Sequence, residues 1–142
     1  MQTNIDTIVG IYEAFGRGDV EHILGQLNDD VSWDEGIRQT DLPYLQPRRG
    51  KAEVMDFFQA LAQNIEFTTF EPQAPCASAD TVMVAVREVG RNLVTGAPIP
   101  EDLSVHIWRF GTDGKVSSFR HVLDLATHEK AAAPTSTTAS AS

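Results

Sequence analysis

Apolar residues recur along this chain with two different periods, and the change from one to the other divides it. In the first half the spacing is helical. Ile5, Ile8, Val9, Tyr12 and Phe15 form one stripe, with Thr3 or Asn4 placed to cap its start and Gly16 with Gly18 to stop it. Asp19 can cap a second, shorter helix with Ile23, Leu24 and Leu27 on its apolar side, and Asn28-Asp29-Asp30 ends it. Val31 to Glu35 alternates like a short strand. Residues 36–50 hold two prolines, two glycines and scattered charge, which predicts a long loop. A third helix follows, with Val54, Phe57, Phe58, Leu61 and Ile65 on one side. From Phe67 the period is two. Thr81 to Val89, Leu103 to Phe110 and Val116 to Leu123 read as strands, with weaker signals at Phe67 to Phe70 and Arg91 to Val94. Asp113-Gly114 predicts a hairpin, because both central positions of such a turn want positive φ. A short helix can follow Leu125. Three helices and then a run of antiparallel strands predict an α+β domain, not a parallel α/β one.

Composition adds boundaries. The chain has 142 residues and 42% apolar content, enough for one domain with a sizeable core. The segment Ala131 to Ser142 reads AAAPTSTTASAS, uncharged and small, and too poor in burial to offset its ordering entropy. It predicts a flexible tail after a domain of residues 1–130. Eleven Lys plus Arg against 20 Asp plus Glu give a net charge of −9, which argues against nucleic acid and anionic membranes as partners. No apolar run reaches membrane-spanning length, and MQTNIDTIVG lacks the basic start and apolar core of a signal peptide. Cys76 is the single cysteine, and a cytoplasmic location fits all three facts. No Gly-rich phosphate loop precedes a helix, and no Ser or Cys nucleophile motif is present. His22, His106, His121 and His128 lack paired metal-ligand spacing, so neither a metal nor a cofactor is expected.

Several of these segments in order resemble a known pattern. A helix, Arg17-Gly18-Asp19, a helix, Asn28-Asp29-Asp30-Val31-Ser32-Trp33-Asp34, a Pro-containing loop, and Gly50-Lys51-Ala52-Glu53-Val54 opening a helix resemble the nuclear-transport-factor-like superfamily. The sequence is most similar there to ketosteroid isomerases and SnoaL-like cyclases. Val105-His106-Ile107-Trp108-Arg109-Phe110, Asp113-Gly114-Lys115-Val116 and Phe119-Arg120-His121-Val122-Leu123-Asp124 resemble that family's last hairpin. The likeness spans about residues 3–128. It implies a cone-shaped, curved antiparallel sheet of cystatin-like form, closed by the three N-terminal helices around a pocket for a small apolar molecule. It also implies a homodimer paired through the outer side of the sheet, where alternation puts Val105, Ile107 and Val122. The fold hosts isomerases, cyclases, epoxide hydrolases, dehydratases and non-catalytic binders.

The resemblance singles out candidate residues. Glu35 matches the place of the isomerase carboxylate base, and a carboxylate at the mouth of an apolar cone has the raised pKa that suits proton abstraction. If Trp33 points inward, alternation sends Glu35 inward and Asp34 outward. His106 matches the position of a protonated acid that donates to the developing oxyanion, a task an imidazole can also perform. Alternation gives it Trp108 and Phe110 as companions. The isomerase tyrosine would fall at Ile11, with Tyr12 one step off, which argues against steroid isomerisation itself. Asp124 is the nearest match to a working aspartate of the cyclases. Alternation puts Phe119, His121 and Leu123 on the more apolar side of the last strand and Arg120 with Asp124 on the other, placed to pair. Glu88 ends the stripe Val82, Val84, Val86, where a carboxylate can line the pocket, although a solvated strand-end acid is the ordinary expectation. The predicted site therefore has His106, Glu35 and Asp124 for catalysis, and Trp33, Phe58, Trp108, Phe119, His121 and Leu123 against the ligand. The expected function is acid–base chemistry (isomerisation, cyclisation, dehydration or epoxide opening) on a small apolar carbonyl or epoxide compound. The alternative is a ligand-binding or protein-association module. A catalytic His106 should keep one nitrogen free toward a cavity with a carboxylate within reach.

Overall fold

A computed structural model describes residues 2–134. Helix α1 (Gln2–Gly16) buries Ile8, Ile11 and Ala14, while Val9, assigned to the stripe by spacing, is 41% exposed. The buried side is thus rotated toward Ile11, and Tyr12 and Phe15 lie along its edge. Gly18 leaves the helix at φ 74°, and the Asp19 carboxylate accepts the His22 N–H at 3.1 Å to cap α2 (Val20–Gly25). Strand β1 (Leu27–Trp33) begins four residues before the expected start and takes in Asn28-Asp29-Asp30. After the short β2 (Arg48–Arg49), Gly50 at φ 86° opens α3 (Lys51–Asn64), and Ile65 already belongs to β3 (Ile65–Pro72).

The remaining strands are β4 (Cys76–Ser78), β5 (Thr81–Asn92), β6 (Pro98–Phe110) and β7 (Val116–Val122), followed by α4 (Leu125–Ala132). They form one sheet in the order β2-β1-β7-β6-β5-β3, with β4 also paired to β5. The sheet is mixed, since β1 runs parallel to β7, whereas the sequence predicted an antiparallel one. The β6–β7 turn is longer than a two-residue hairpin. It closes with Gly111 N–H on the Lys115 carbonyl, and within it only Gly114 has positive φ, so the Asp113 expectation fails.

Long strands bend where they carry an extra residue. Register shifts lie between Phe67 and Thr69 on β3, between Glu88 and Gly90 on β5, and near Phe110 on β6. Gly90 is required there: a Cβ would stand 2.6 Å from the Glu66 carbonyl oxygen. The concave side gathers Val82, Val84, Val86, Trp108, Phe110 and Phe119 against α1 and α3. A second cluster joins Leu42, Tyr44 and Leu45 of the long loop to Ile65, Ile99 and Ala131. Ala131 and Ala132 therefore belong to α4, and the expected domain end at residue 130 falls inside a packed helix because the Ala131 side chain is 4% exposed. The rest of the expected tail, residues 135–142, lies outside the described residues. Among the described residues no helix is long and apolar enough to cross a membrane.

Candidate functional site

Strand alternation delivers the inner residues of the hairpin to one chamber. From Ser104 onward the buried positions of β6 are Ser104, His106, Trp108 and Phe110, and on β7 they are Val116 and Phe119; of these His106, Trp108 and Phe119 reach the chamber. His106 stands directly across from His121, and Trp108 across from Phe119. His121 meets the His106 and Phe119 rings edge to face, with centroids 4.9 Å and 4.6 Å away. The chamber is half open, holds about 60 Å³ and is lined by all the ligand-contact residues expected from the sequence: Trp33, Phe58, Trp108, Phe119, His121 and Leu123. His106 lines it as well. Much of the remaining wall comes from α1 (Ile11, Tyr12, Phe15), from β3 (Phe67, Phe70), from the long loop (Tyr44, Leu45), and from Glu88 and His128.

His106 is 4% exposed. Its Nδ1 lies 2.7 Å from the Tyr12 hydroxyl, which in turn accepts the Trp108 indole N–H at 3.1 Å. With the indole N–H on the tyrosine oxygen, the phenolic proton has Nδ1 as its partner, so Tyr12 donates and Nε2 carries the imidazole hydrogen. Burial pushes the Tyr12 hydroxyl well above its ordinary pKa, which keeps that proton in place. Nε2 has no hydrogen-bond partner among the described residues, and Glu88 Oε1 stands 3.7 Å away, too far for a hydrogen bond. Burial lowers the His106 pKa, and Glu88 offsets only part of that shift, so the ring is neutral at pH 7.

Glu88 is not the solvated acid expected from its strand-end position. It is 9% exposed and takes the Ser104 hydroxyl at 2.8 Å. Burial alone would raise its carboxyl; His106 and the Ser104 hydroxyl outweigh it and hold the group below the ordinary carboxylate range.

The second imidazole is held differently. Asp34 is fully buried, and its two oxygens accept the His121 backbone N–H and Nδ1, each at 2.7 Å. A carboxylate only accepts, so Nδ1 carries the hydrogen and Nε2 presents its lone pair. The sequence reading had Asp34 pointing out and Glu35 pointing in, and the structure reverses both. β1 ends at Trp33, and Asp34 adopts φ 56°, a left-handed conformation that Asp tolerates better than most residues. Alternation stops there, and the turned backbone sends the Asp34 carboxylate under β7. Glu35 lies on the surface, paired with Arg49 at 2.6 Å. Asp124 is also outside the chamber: it caps α4 by accepting the Thr127 N–H at 3.2 Å and hydroxyl at 2.7 Å. Arg120 does not pair with it but donates to the Gly36 carbonyl. Two of the three expected catalytic residues thus have structural partners on the surface.

Asp34, which holds His121 from outside the lining, and three polar residues of the chamber wall, Glu88, Tyr44 and His128, were missed or set aside in the expectations from sequence. Asp34 and Glu88 were judged outward or solvated. Tyr44 sits in a loop without periodicity, and its hydroxyl lies 2.7 Å from His128 Nδ1. His128 faces inward from α4, where an i to i+3 step from Leu125 to His128 to Ala131 was the available signal. Among the described residues no cluster of His, Cys, Asp and Glu has the arrangement of a metal site.

No curated protein sequence matches this chain. Among solved structures, an NTF2-like protein of unknown function from Burkholderia pseudomallei shares 25% identity and superposes with TM-score 0.81 over 92% of this chain and 98% of that one. TerC, crystallised with polyporic acid, is 23% identical at TM-score 0.73 over 91% and 97% of the two chains. The epoxide hydrolase/cyclase-like enzyme SalBIII, with a role in pyran ring formation in salinomycin, is 17% identical at TM-score 0.69 over 89% and 94%. The likenesses to TerC and SalBIII show the shared fold. The family profile described as SnoaL-like domain matches residues 8–119, and the chain belongs to that family, within the NTF2-like superfamily.

Proposed function

We propose that this chain is an acid–base enzyme that moves a proton on a small, mostly apolar molecule bearing a carbonyl or epoxide oxygen. The observation that carries the reading is the opposed pair of imidazoles. His121, oriented by Asp34, presents a lone pair, and His106, oriented by Tyr12, presents an N–H, with ring centroids 4.9 Å apart at one apolar wall. His121 would take a proton from carbon or from an attacking hydroxyl, and His106 would donate to the oxygen on which charge develops. The surrounding aromatic rings keep that hydrogen bond in a low-dielectric setting, where it is strongest. Isomerisation, cyclisation, dehydration and epoxide opening can all use such a base and donor, and SalBIII-like chemistry falls among them.

Solvent deuterium incorporation into a panel of aryl ketones, together with hydrolysis of aryl epoxides, tests the reading. Catalysis above the buffer rate should fall about 100-fold or more in His121→Gln and in His106→Leu. Binding of panel members without turnover, unaffected by His121→Gln, would favour a ligand-binding module instead. We also propose pairing of two copies through the outer side of the sheet. Leu103, Val122 and Met83 are 64%, 51% and 46% exposed there, beside Val105 and Ile107. The exposed Cys76 thiol suits a reducing, cytoplasmic setting.

A further inference from the structure

Buried polar atoms are normally hydrogen-bonded, so those that lack a partner point to something outside the chain. Among the described residues four buried side-chain atoms have none: Asn28 Oδ1, Trp33 Nε1, His106 Nε2 and His128 Nε2. The three nitrogens all belong to side chains that line the one chamber, and those side chains are 1%, 4% and 3% exposed.

Each of the three is a donor. An indole nitrogen can only donate. The His106 hydrogen is placed on Nε2 by the Trp108–Tyr12–His106 chain. For His128 the same result follows from the Tyr44 hydroxyl at 2.7 Å from Nδ1. If Tyr44 donates, Nε2–H is the single unpaired group. If Nδ1 donated instead, both the phenolic hydrogen and the Nε2 lone pair would be left unpaired, at greater cost. Burial raises the Tyr44 pKa and lowers that of His128, so the phenol keeps its proton and the ring stays neutral. The anionic Glu88 carboxylate at the same wall disfavours a second negative charge.

We propose that the chamber recognises a neutral ligand through at least two acceptor oxygens, as in a diketone, a quinone or a hydroxyketone, with His128 as a donor beside His106 and Trp33. Tyr44 is the positioning residue for His128, as Tyr12 is for His106. This rests on the acid–base reading for the role of His106 and extends it to the class of substrate. At about 60 Å³ the half-open chamber takes in the oxygen-bearing part of a ligand, and the rest can extend through its open side.

The test compares two probes of similar size, 1,4-cyclohexanedione and cyclohexanone, titrated into the ¹⁵N-labelled full chain and followed by long-range ¹H–¹⁵N spectra of the imidazoles. The unsubstituted protein should show His128 protonated at Nε2 before any probe is added. It should bind the dione more tightly by well over the statistical factor of two, about tenfold for one added hydrogen bond on top of that factor. In His128→Leu the ratio should drop to about two while cyclohexanone still binds, and Tyr44→Phe should lower it part of the way. Protonation of His128 at Nδ1, or a ratio of about two in the unsubstituted protein, overturns the proposal. If the leucine variant does not fold, the tautomer and the ratio in the unsubstituted chain decide the matter. Asp34→Asn separates this inference from the acid–base reading, because it should abolish turnover and leave the dione preference in place.

Discussion

Asp34→Asn is the sharpest probe of the imidazole pair, because it changes charge and proton placement at nearly constant volume. The Asp34 carboxylate receives both the His121 backbone N–H and Nδ1–H at 2.7 Å, with no exposure to water. In the variant one amide oxygen can keep the backbone bond. The amide NH₂ then faces Nδ1, and two donors cannot share a bond, so the imidazole must shift its hydrogen to Nε2. Losing a charge-assisted bond while keeping its geometry should cost about 1–3 kcal/mol of folding stability. The catalytic loss is larger in proportion. With Nε2 protonated there is no base facing the chamber, and a positioned base contributes about 10²–10⁴ in rate, equivalent to about 3–5 kcal/mol of barrier. Ligand affinity should change little, since His106 is untouched. The assay combines urea unfolding, the ¹⁵N shifts of His121, and deuterium incorporation into any ketone the protein enolises. A variant with the hydrogen on Nε2 and turnover within threefold of the original would refute His121 as the base.

Four further outcomes are expected. Folding stability should decline as pH falls below 6.5, because His106 and His128 have lowered pKa values when folded and the unfolded chain binds more protons. The slope is at most about 1.4 kcal/mol per pH unit for each ring, checked by urea titrations from pH 7.5 to 5.5, and it should shrink in His128→Leu. Glu88, with its pKa lowered, contributes stability that persists above pH 4.5 and goes only at more acid pH. Glu35→Ala should leave turnover intact and cost no more than about 1 kcal/mol, since its ion pair with Arg49 is exposed; a loss of activity would restore Glu35 to the site. Val105→Lys should yield a folded monomer in sedimentation, and an original protein that is already monomeric at micromolar concentration would remove the sheet-pairing proposal. Ending the chain at Lys130 should cost about 1–2 kcal/mol through loss of buried Ala131 and of the Thr95 hydroxyl bond to its carbonyl at 2.6 Å, whereas ending it at Pro134 keeps both.

The amino-acid sequence by itself determined the helices, the long strands and the inner side of the hairpin. Each of these depends on a local period: 3.6 for α1 and α3, and two for β5, β6 and β7. Period two is why His106, Trp108, Phe119 and His121 could be placed in the chamber from spacing alone. The turn signature at Gly18-Asp19 worked for the same reason, as the chemistry of a cap lies within a few residues.

What the tertiary structure alone decided lies where the period breaks or where partners are distant in the chain. One left-handed residue after β1 exchanges Asp34 with Glu35, and no alternation count extends through such a turn. A bulge by Thr68 brings Phe67 and Phe70 to the same chamber wall, three positions apart. Tyr12 reaches His106 across 94 positions, and Tyr44 reaches His128 across 84. Together with the bond from His121 to Asp34, 87 positions away, these bonds fix which nitrogen of each ring carries hydrogen. Local sequence specifies that a histidine faces inward. Only a folded neighbour, buried with it away from water, specifies its tautomer.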